Sequence, residues 1–272
     1  SENRDAFSGK VRFVFQPGEE IGKGAKPFVA AGVLEGAERV FGLHTAYDLE
    51  AGTVGLKPGI NNAAVDHFRI HVHGKSTHVS TPHLGVDALY IASQIVVAVQ
   101  GLVTRRTSPT EPVIIGIGKL NAGTTYNAVA AFAEMEGTTR TISQESRDRV
   151  RAQVSETAQS IAALYGGTAE IEWTDFAAAL VNDPQVCEEA AQVVDELLGE
   201  GHVVTDRELS LSGDNFAEFE LYKPGAYAYL GTGNQDFPHT MITNHNGGFD
   251  VDENALVTGA GLYVGYTVAR LG

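Results

Sequence analysis

Between Val65 and Thr174 the hydrophobic residues change period in a fixed order, and that order constrains the fold more than any other feature of the chain. Val65 to His73 alternates in period two, as a strand with one buried face does. Asp87 to Thr104 is a long apolar stretch of helical length, and Val113 to Leu120 returns to strand. Ala128 to Thr139 makes a fourth element that alternates less cleanly, Glu145 to Leu164 reads as an amphipathic helix, and Thr168 to Thr174 closes as a strand. Strand, helix, strand, strand, helix, strand is the split βαβ order of a ferredoxin-like α+β module. Its length of roughly 110 residues is ordinary for a domain.

The flanking segments read differently. Val11 to Phe15 is a short β-type run that stops at the turn signal Gln16-Pro17-Gly18. A short helix follows from Ala25 to Leu34, and Arg39 to His44 reads as a second buried strand. This places Glu19, Glu20 and His44 at the carboxyl ends of strands, the edge where open α/β sheets carry their chemistry. After Thr174 the chain resumes this character with a helix from Pro184 to Leu198, a strand from Ala226 to Gly231 and a closing helix from Glu253 to Val268. The simplest architecture is an α/β domain, residues 1–61 and 175–272, interrupted by an inserted α+β domain, residues 62–174.

A chain of 272 residues with 43% hydrophobic content can bury the core that two such domains need. Its 34 acidic against 19 basic side chains give a formal charge of −15, which repels a phosphate backbone, so a nucleic-acid partner is not expected. No basic amphipathic run seeks an anionic membrane surface, and Ser93, Gln94 and Gln100 interrupt the apolar stretch from Ala88 to Val103, so no membrane span is expected. The single cysteine, Cys187, excludes an intramolecular disulfide and a Cys-rich zinc module, and its helical context reads as a buried thiol. With no signal-peptide pattern at the start, the expectation is a cytoplasmic protein.

Several polar residues could carry chemistry. Adjacent carboxylates Glu19 and Glu20, after an irregular Gln-Pro-Gly, could divide the work between binding a cation and acting as general base toward water; equally, they could form a solvated acidic turn. His44 ends an apolar run, and a neutral imidazole there is a good metal ligand or a hydrogen-bonded structural group. His245 lies in a polar, Gly-containing loop with His239 nearby as a competitor. His71 and His73 share one strand face. His78 and His83 sit in a polar loop before the long helix, from which an imidazole could polarise a carbonyl. Arg140 suits bidentate capture of a carboxylate, or a surface salt bridge, and Asn127 lies at the other end of the same element. No phosphate loop, dinucleotide fingerprint or Gly-x-Ser-x-Gly elbow is present.

Taken in order, these pieces resemble the M20-type amidohydrolases, most closely the branch of hippurate hydrolases and plant indole-acetyl-amino-acid hydrolases. Phe15-Gln16-Pro17-Gly18-Glu19-Glu20 is similar to that family's Phe-Gln-Pro-Ala-Glu-Glu block. Gly42-Leu43-His44, Gly52-Thr53-Val54, Pro58-Gly59, Gly74-Lys75 with His78, and Pro82-His83-Leu84-Gly85-Val86-Asp87 follow in register. So do Asn127, Gly137-Thr138-Thr139-Arg140, Asn182-Asp183-Pro184, Gly231-Thr232-Gly233 and His245 with Phe249-Asp250 and Asp252-Glu253. The resemblance implies a zinc-exopeptidase-like α/β catalytic domain with an inserted ferredoxin-like domain that serves as lid and dimerisation module. It implies metal-dependent hydrolysis of N-acyl amino acids, two divalent ions per site (zinc or manganese), and a homodimer. Glu19 would be the general base, Glu20, His44 and His245 metal ligands, His78 an oxyanion stabiliser, and Asn127 and Arg140 substrate-holding groups.

Three departures stand out. The family's upstream Cys-x-His-Asp block, which supplies further ligands, is not in this chain, which opens at Ser1-Glu2-Asn3-Arg4 in what resembles the helix before Val11. The expectation is therefore an N-terminally incomplete catalytic domain with weak activity or none by itself. Ser212-Gly213-Asp214-Asn215-Phe216 stands where the family has Glu-Asp-Phe, and Asn246-Gly247-Gly248 follows His245 where a proline is usual.

Overall fold

The computed structural model of the protein describes residues 8–272; the expected helix at Ser1 to Arg4 lies outside them. In chain order the first elements are α1 (Ala25–Ala30), β1 (Val40–Glu50), β2 (Val54–Gly55), β3 (Gly59–Asn62), β4 (Ala64–His73), α2 (Ala88–Arg106), β5 (Ile114–Ala122) and β6 (Phe132–Thr141). They are followed by α3 (Gln144–Leu164), β7 (Thr168–Ala177), β8 (Leu180–Asn182), α4 (Pro184–Leu198), β9 (Val203–Val204), α5 (Ala217–Glu220), β10 (Gly225–Gly233) and α6 (Asn254–Leu271). The chain forms two compact units, one of Asn62–Ala179 with Leu211–Gly213 and one of the remaining residues.

In the unit of Asn62–Ala179 four antiparallel strands lie in the order β5-β6-β4-β7, with both helices on one face. The period-two alternation of β4 drives this: Phe68, Ile70 and Val72 are fully buried against Ile91, Ile95 and Val99 of α2, while His67, Arg69 and His71 take the opposite face. The helices begin where their caps dictate. Asp87 accepts from the amides of Leu89 and Tyr90, and Ser143 from that of Ser146. By length and composition α2 is long and apolar enough to cross a membrane, but Ala88, Ile91, Ala92, Ile95, Val99 and Leu102 bury it as a helix of this core.

The buried polar contact of this unit joins its first strand to its second helix. Arg147 donates from Nε to Asp66 Oδ2 at 2.9 Å and from Nη2 to Oδ1 at 2.6 Å, with the side chains 6% and 1% exposed. Removing Asp66 takes both bonds from the buried Arg147 guanidinium, whose contact to Asp175 is longer, at 3.6 Å. Asp66→Ala is expected to cost about 3–5 kcal/mol, read as a fall in the urea midpoint of this unit.

In the other unit β1 pairs in parallel with β10, β10 antiparallel with β2, and β2 in parallel with β9. Strand β10 is buried along its whole length. Ala226, Ala228 and Leu230 pack with Val186, Ala190 and Val193 of α4 and Leu262 and Tyr266 of α6, while Tyr227 and Tyr229 face the other way. Two sequence expectations are corrected. His44 does not end its strand, because pairing with β10 continues from Val40↔Gly225 through Ala46↔Gly231 and carries β1 to Glu50. Val11 to Phe15 forms no strand, since no described strand offers it a ladder, and Phe13 and Phe15 stand 77% and 87% exposed. The predicted helix after it ends early, at Ala30 rather than Leu34.

Glu220, the last residue of α5, accepts the Val181 N–H at 3.0 Å with Oε2, while Oε1 is buried without a partner. Burial pushes its carboxyl up to about 7. The folded state then holds this proton more tightly than the unfolded chain, so the contribution of Glu220 is favourable at acid pH and is lost as pH rises through about 7. Glu220→Gln is accordingly expected to stabilise the protein by about 2 kcal/mol near pH 8 and to be close to neutral near pH 4, measured by denaturant titration at the two pH values.

Candidate active site

The face of β10 turned away from the helical core is where the chemistry-bearing residues of this unit gather. Register pairs His44 with Tyr229 and Gly42 with Tyr227 on neighbouring strands. The imidazole sits between the two phenols, with ring centroids 6.1 Å from Tyr227 and 5.9 Å from Tyr229. Phe216 stacks on Tyr227 at 4.8 Å. A Cβ at Gly42 would come 2.8 Å from both Phe216 and Tyr227, so this closely packed wall requires glycine beside the histidine. His44 Nδ1 lies 2.6 Å from the carbonyl of Thr45. A carbonyl can only accept, so Nδ1 carries a proton, and in the neutral ring this leaves the Nε2 lone pair for a metal.

Glu19 and Glu20 open a short 3-10 turn, Glu19–Ile21, entered through Gly18 at φ 70°. That left-handed backbone suits glycine and swings the chain so that consecutive carboxylates diverge from a strand path. Gln16 Nε2 donates to Asn215 Oδ1 at 2.8 Å and ties down the approach to the turn. The Glu19 carboxylate accepts the backbone N–H of Asn215, yet its proton affinity is raised, first by burial and then by the negative charges of Asp214 and Glu20. The nearby His44 opposes the rise without cancelling it. A carboxylate so placed takes a proton more readily than one in water, the property a general base needs.

Glu20 and His245 approach across the same region, with Oε2 and Nε2 3.7 Å apart on exposed side chains. His245 has φ 62° and is the one non-glycine residue with positive φ among those described, a strained backbone of the kind found at functional sites. Its loop is fastened by Asn234, which donates from Nδ2 to Asp252 Oδ2 at 2.6 Å and from its backbone N–H to Thr240 Oγ1 at 2.9 Å. His239 pairs instead with Asp250, at 3.7 Å. Glu19, Glu20, His44 and His245 therefore lie in one unit, with Glu20 and His44 acting electrostatically on Glu19 and His245 approaching Glu20. Among the described residues, however, no three His, Cys, Asp or Glu side chains converge closely enough to hold a metal ion. The donor chemistry and the His44 tautomer fit a divalent metal; the expected three-ligand set is not closed.

The remaining expected site residues belong to the other unit. His78 forms an isolated bridge with Ala128, and the Val79 amide donates to the carbonyl of Asn127 at 3.0 Å, so His78 and Asn127 lie on adjoining segments. Asn127 Oδ1 accepts from Thr125. Arg140 lies on the open face of β6, where Nη1 donates to Thr138 Oγ1 and to the carbonyl of Thr139. It makes no ion pair among the described residues, and its guanidinium keeps donors for an incoming carboxylate.

Asp214, Asn215 and Tyr227 escaped the sequence reading as site residues. Asp214 is buried, with Oδ2 accepting the Tyr227 hydroxyl at 2.7 Å and Oδ1 the Phe216 amide at 2.8 Å. Burial and the adjacent Asp214 push the Tyr227 phenol far up, so it stays a donor. In the sequence, Ser212 to Phe216 stood out as a departure from the family's Glu-Asp-Phe, and nothing in it tells that Asp214 would sit beside Glu19.

Residues 1–268 match the profile of peptidase family M20/M25/M40. The chain belongs to this family. It is 36% identical over 94% of its length to the N-acetyl-L-cysteine deacetylase of Bacillus subtilis and 35% identical over 95% to the thermostable carboxypeptidase 1 of Saccharolobus solfataricus. It spans 59% and 65% of those two relatives. A solved relative, a dinuclear metal-binding M20 peptidase of Bacillus subtilis, superposes with TM-score 0.82 at 32% identity, over 99% of this chain and 67% of the other.

In this M20 chain the Tyr227–Asp214 bond is the buried strut beneath Glu19. Tyr227→Phe removes the donor and leaves a buried carboxylate oxygen unpaired, and is expected to cost about 1–3 kcal/mol, read as a lowered unfolding midpoint of the unit that carries β10.

Proposed function

We propose that this chain is part of a divalent-metal amidohydrolase that cleaves the amide bond of N-acyl amino acids. The observation that carries the reading is Glu19, a half-buried carboxylate of raised proton affinity set beside Glu20, His44 and Asp214. In this reading residues 1–61 and 175–272 are the larger part of the catalytic domain, N-terminally incomplete, and residues 62–174 are a lid and dimerisation domain. The relatives named above, a deacetylase and a carboxypeptidase, support amide cleavage next to a carboxylate-bearing residue.

Each residue then has a task. Glu19 removes a proton from the attacking water and returns it to the leaving amine. Arg140 binds the substrate carboxylate in bidentate fashion, Asn127 donates from its amide, and His78 donates to the oxygen that gains charge. Glu20, His44 and His245 would contribute ligands to divalent ions, zinc or manganese and two per site as the family resemblance implies, and bound metal would supply Lewis-acid polarisation of the acyl carbonyl. A homodimer through an edge strand of the inserted domain and a cytoplasmic location complete the reading, the lone Cys187 being buried and unpaired.

For this chain by itself little or no turnover is expected, because no three candidate ligands converge among the described residues. The same observation favours a second reading, a non-catalytic relative that acts through its dimerisation domain. A longer protein that includes an upstream ligand segment, loaded with zinc or manganese and assayed on N-acetyl amino acids, separates the two. Turnover is expected, with Glu19→Gln lowering kcat by about 10²–10⁴ at unchanged metal content and Arg140→Ala acting mainly on KM. A metal-loaded longer protein that hydrolyses no N-acyl amino acid would sink the enzyme reading.

A further inference from the structure

The turn that carries His78 fixes more than the position of its imidazole. The Thr81 amide donates to the His78 carbonyl at 2.9 Å, closing a tight turn, and the Val129 amide to the Thr77 carbonyl at 2.9 Å. Within the turn the Ser80 backbone N–H donates to His78 Nδ1 at 3.2 Å, and the Ser80 hydroxyl oxygen lies 2.8 Å from the same nitrogen. A backbone N–H has one hydrogen and can only donate, so Nδ1 must present its lone pair and carry no proton. The hydroxyl, whose hydrogen rotates freely, then donates to that lone pair as well. In the neutral ring the proton is left on Nε2, the nitrogen directed away from the turn.

We propose that Ser80 is a positioning residue that locks His78 as the Nε2–H tautomer, so that this loop offers a neutral N–H donor to an anionic oxygen. The opposite tautomer would set Nδ1–H against the Ser80 N–H and present only a lone pair outward, which repels an oxyanion. The proposal rests on the reading of His78 as the oxyanion donor, but the lock itself is a property of this turn. It also fits the choice of serine, which brings both a backbone and a side-chain donor to one nitrogen.

Long-range proton–nitrogen correlation spectra of the ¹⁵N-labelled chain, above the imidazole titration range, read the tautomer without any activity. His78, assigned with His78→Gln, is expected as a single Nε2–H tautomer. Ser80→Ala should move its two nitrogen shifts toward the averaged values of a free imidazole, and Ser80→Thr should restore them. Averaged shifts in the wild type overturn the lock, and shifts unmoved by Ser80→Ala overturn the positioning role of the Ser80 side chain, because the backbone N–H that remains then holds the tautomer unaided. In the longer metal-loaded protein Ser80→Ala is expected to lower kcat by about fivefold to tenfold, the loss of one hydrogen bond, with KM little changed and Ser80→Thr restoring kcat. A changed spectrum with unchanged kcat overturns the donor role while the lock stands. A wild type without turnover refutes the proposed function, and the spectra still decide the lock.

Discussion

The larger site depends on how β10 divides its side chains. A strand buried over its whole length, Gly225–Gly233, has two insides. Ala226, Ala228 and Leu230 are small enough for α4 and α6 to close over them, and the hydrophobic free energy of that contact anchors the strand. The alternate residues, Tyr227 and Tyr229, must then point to the other face, and their size builds the wall against which His44 rests. One alternation thus creates both a core and the support of a functional group. The same strand is stitched at its start by Asn182, whose amide spans the Tyr227 backbone N–H and carbonyl.

Electrostatics then give the wall its chemical character. The Tyr227 hydroxyl satisfies Asp214 in a buried setting, and Asp214 in turn keeps negative charge beside Glu19. Burial alone would lift the proton affinity of Glu19, and the neighbouring carboxylates lift it further. His44, oriented by the Thr45 carbonyl on Nδ1, leaves the Nε2 lone pair of its neutral ring for a ligand. The arrangement concentrates acceptors, which is unfavourable for an isolated fold and is what a cation-using site requires.

Much of the ferredoxin-like unit could be read from the sequence, because its information is local. The alternation of β4, the Asp87 and Ser143 caps and the lengths of α2 and α3 each follow from neighbouring residues. The family blocks containing Glu19, His44, His78, Arg140 and His245 were likewise contiguous. The reading failed where a local pattern needed a distant partner. Val11 to Phe15 has the composition of a strand but no described ladder to join, and β1 outran His44 because β10, nearly two hundred positions away, continues to pair with it.

The sequence by itself determined the order of elements, the family membership and the chemical types at the candidate site, since periodicity, caps and contiguous motifs are properties of neighbours along the chain. Tertiary structure decided which groups share an environment. It set Asp214 and Asn215 beside Glu19, aligned His44 with Tyr227 and Tyr229, and brought Glu20 to His245 while leaving the three expected ligands unconverged. Proton affinity, tautomer and ligand geometry depend on burial and on charges within a few ångströms, and those distances exist only once the chain has folded.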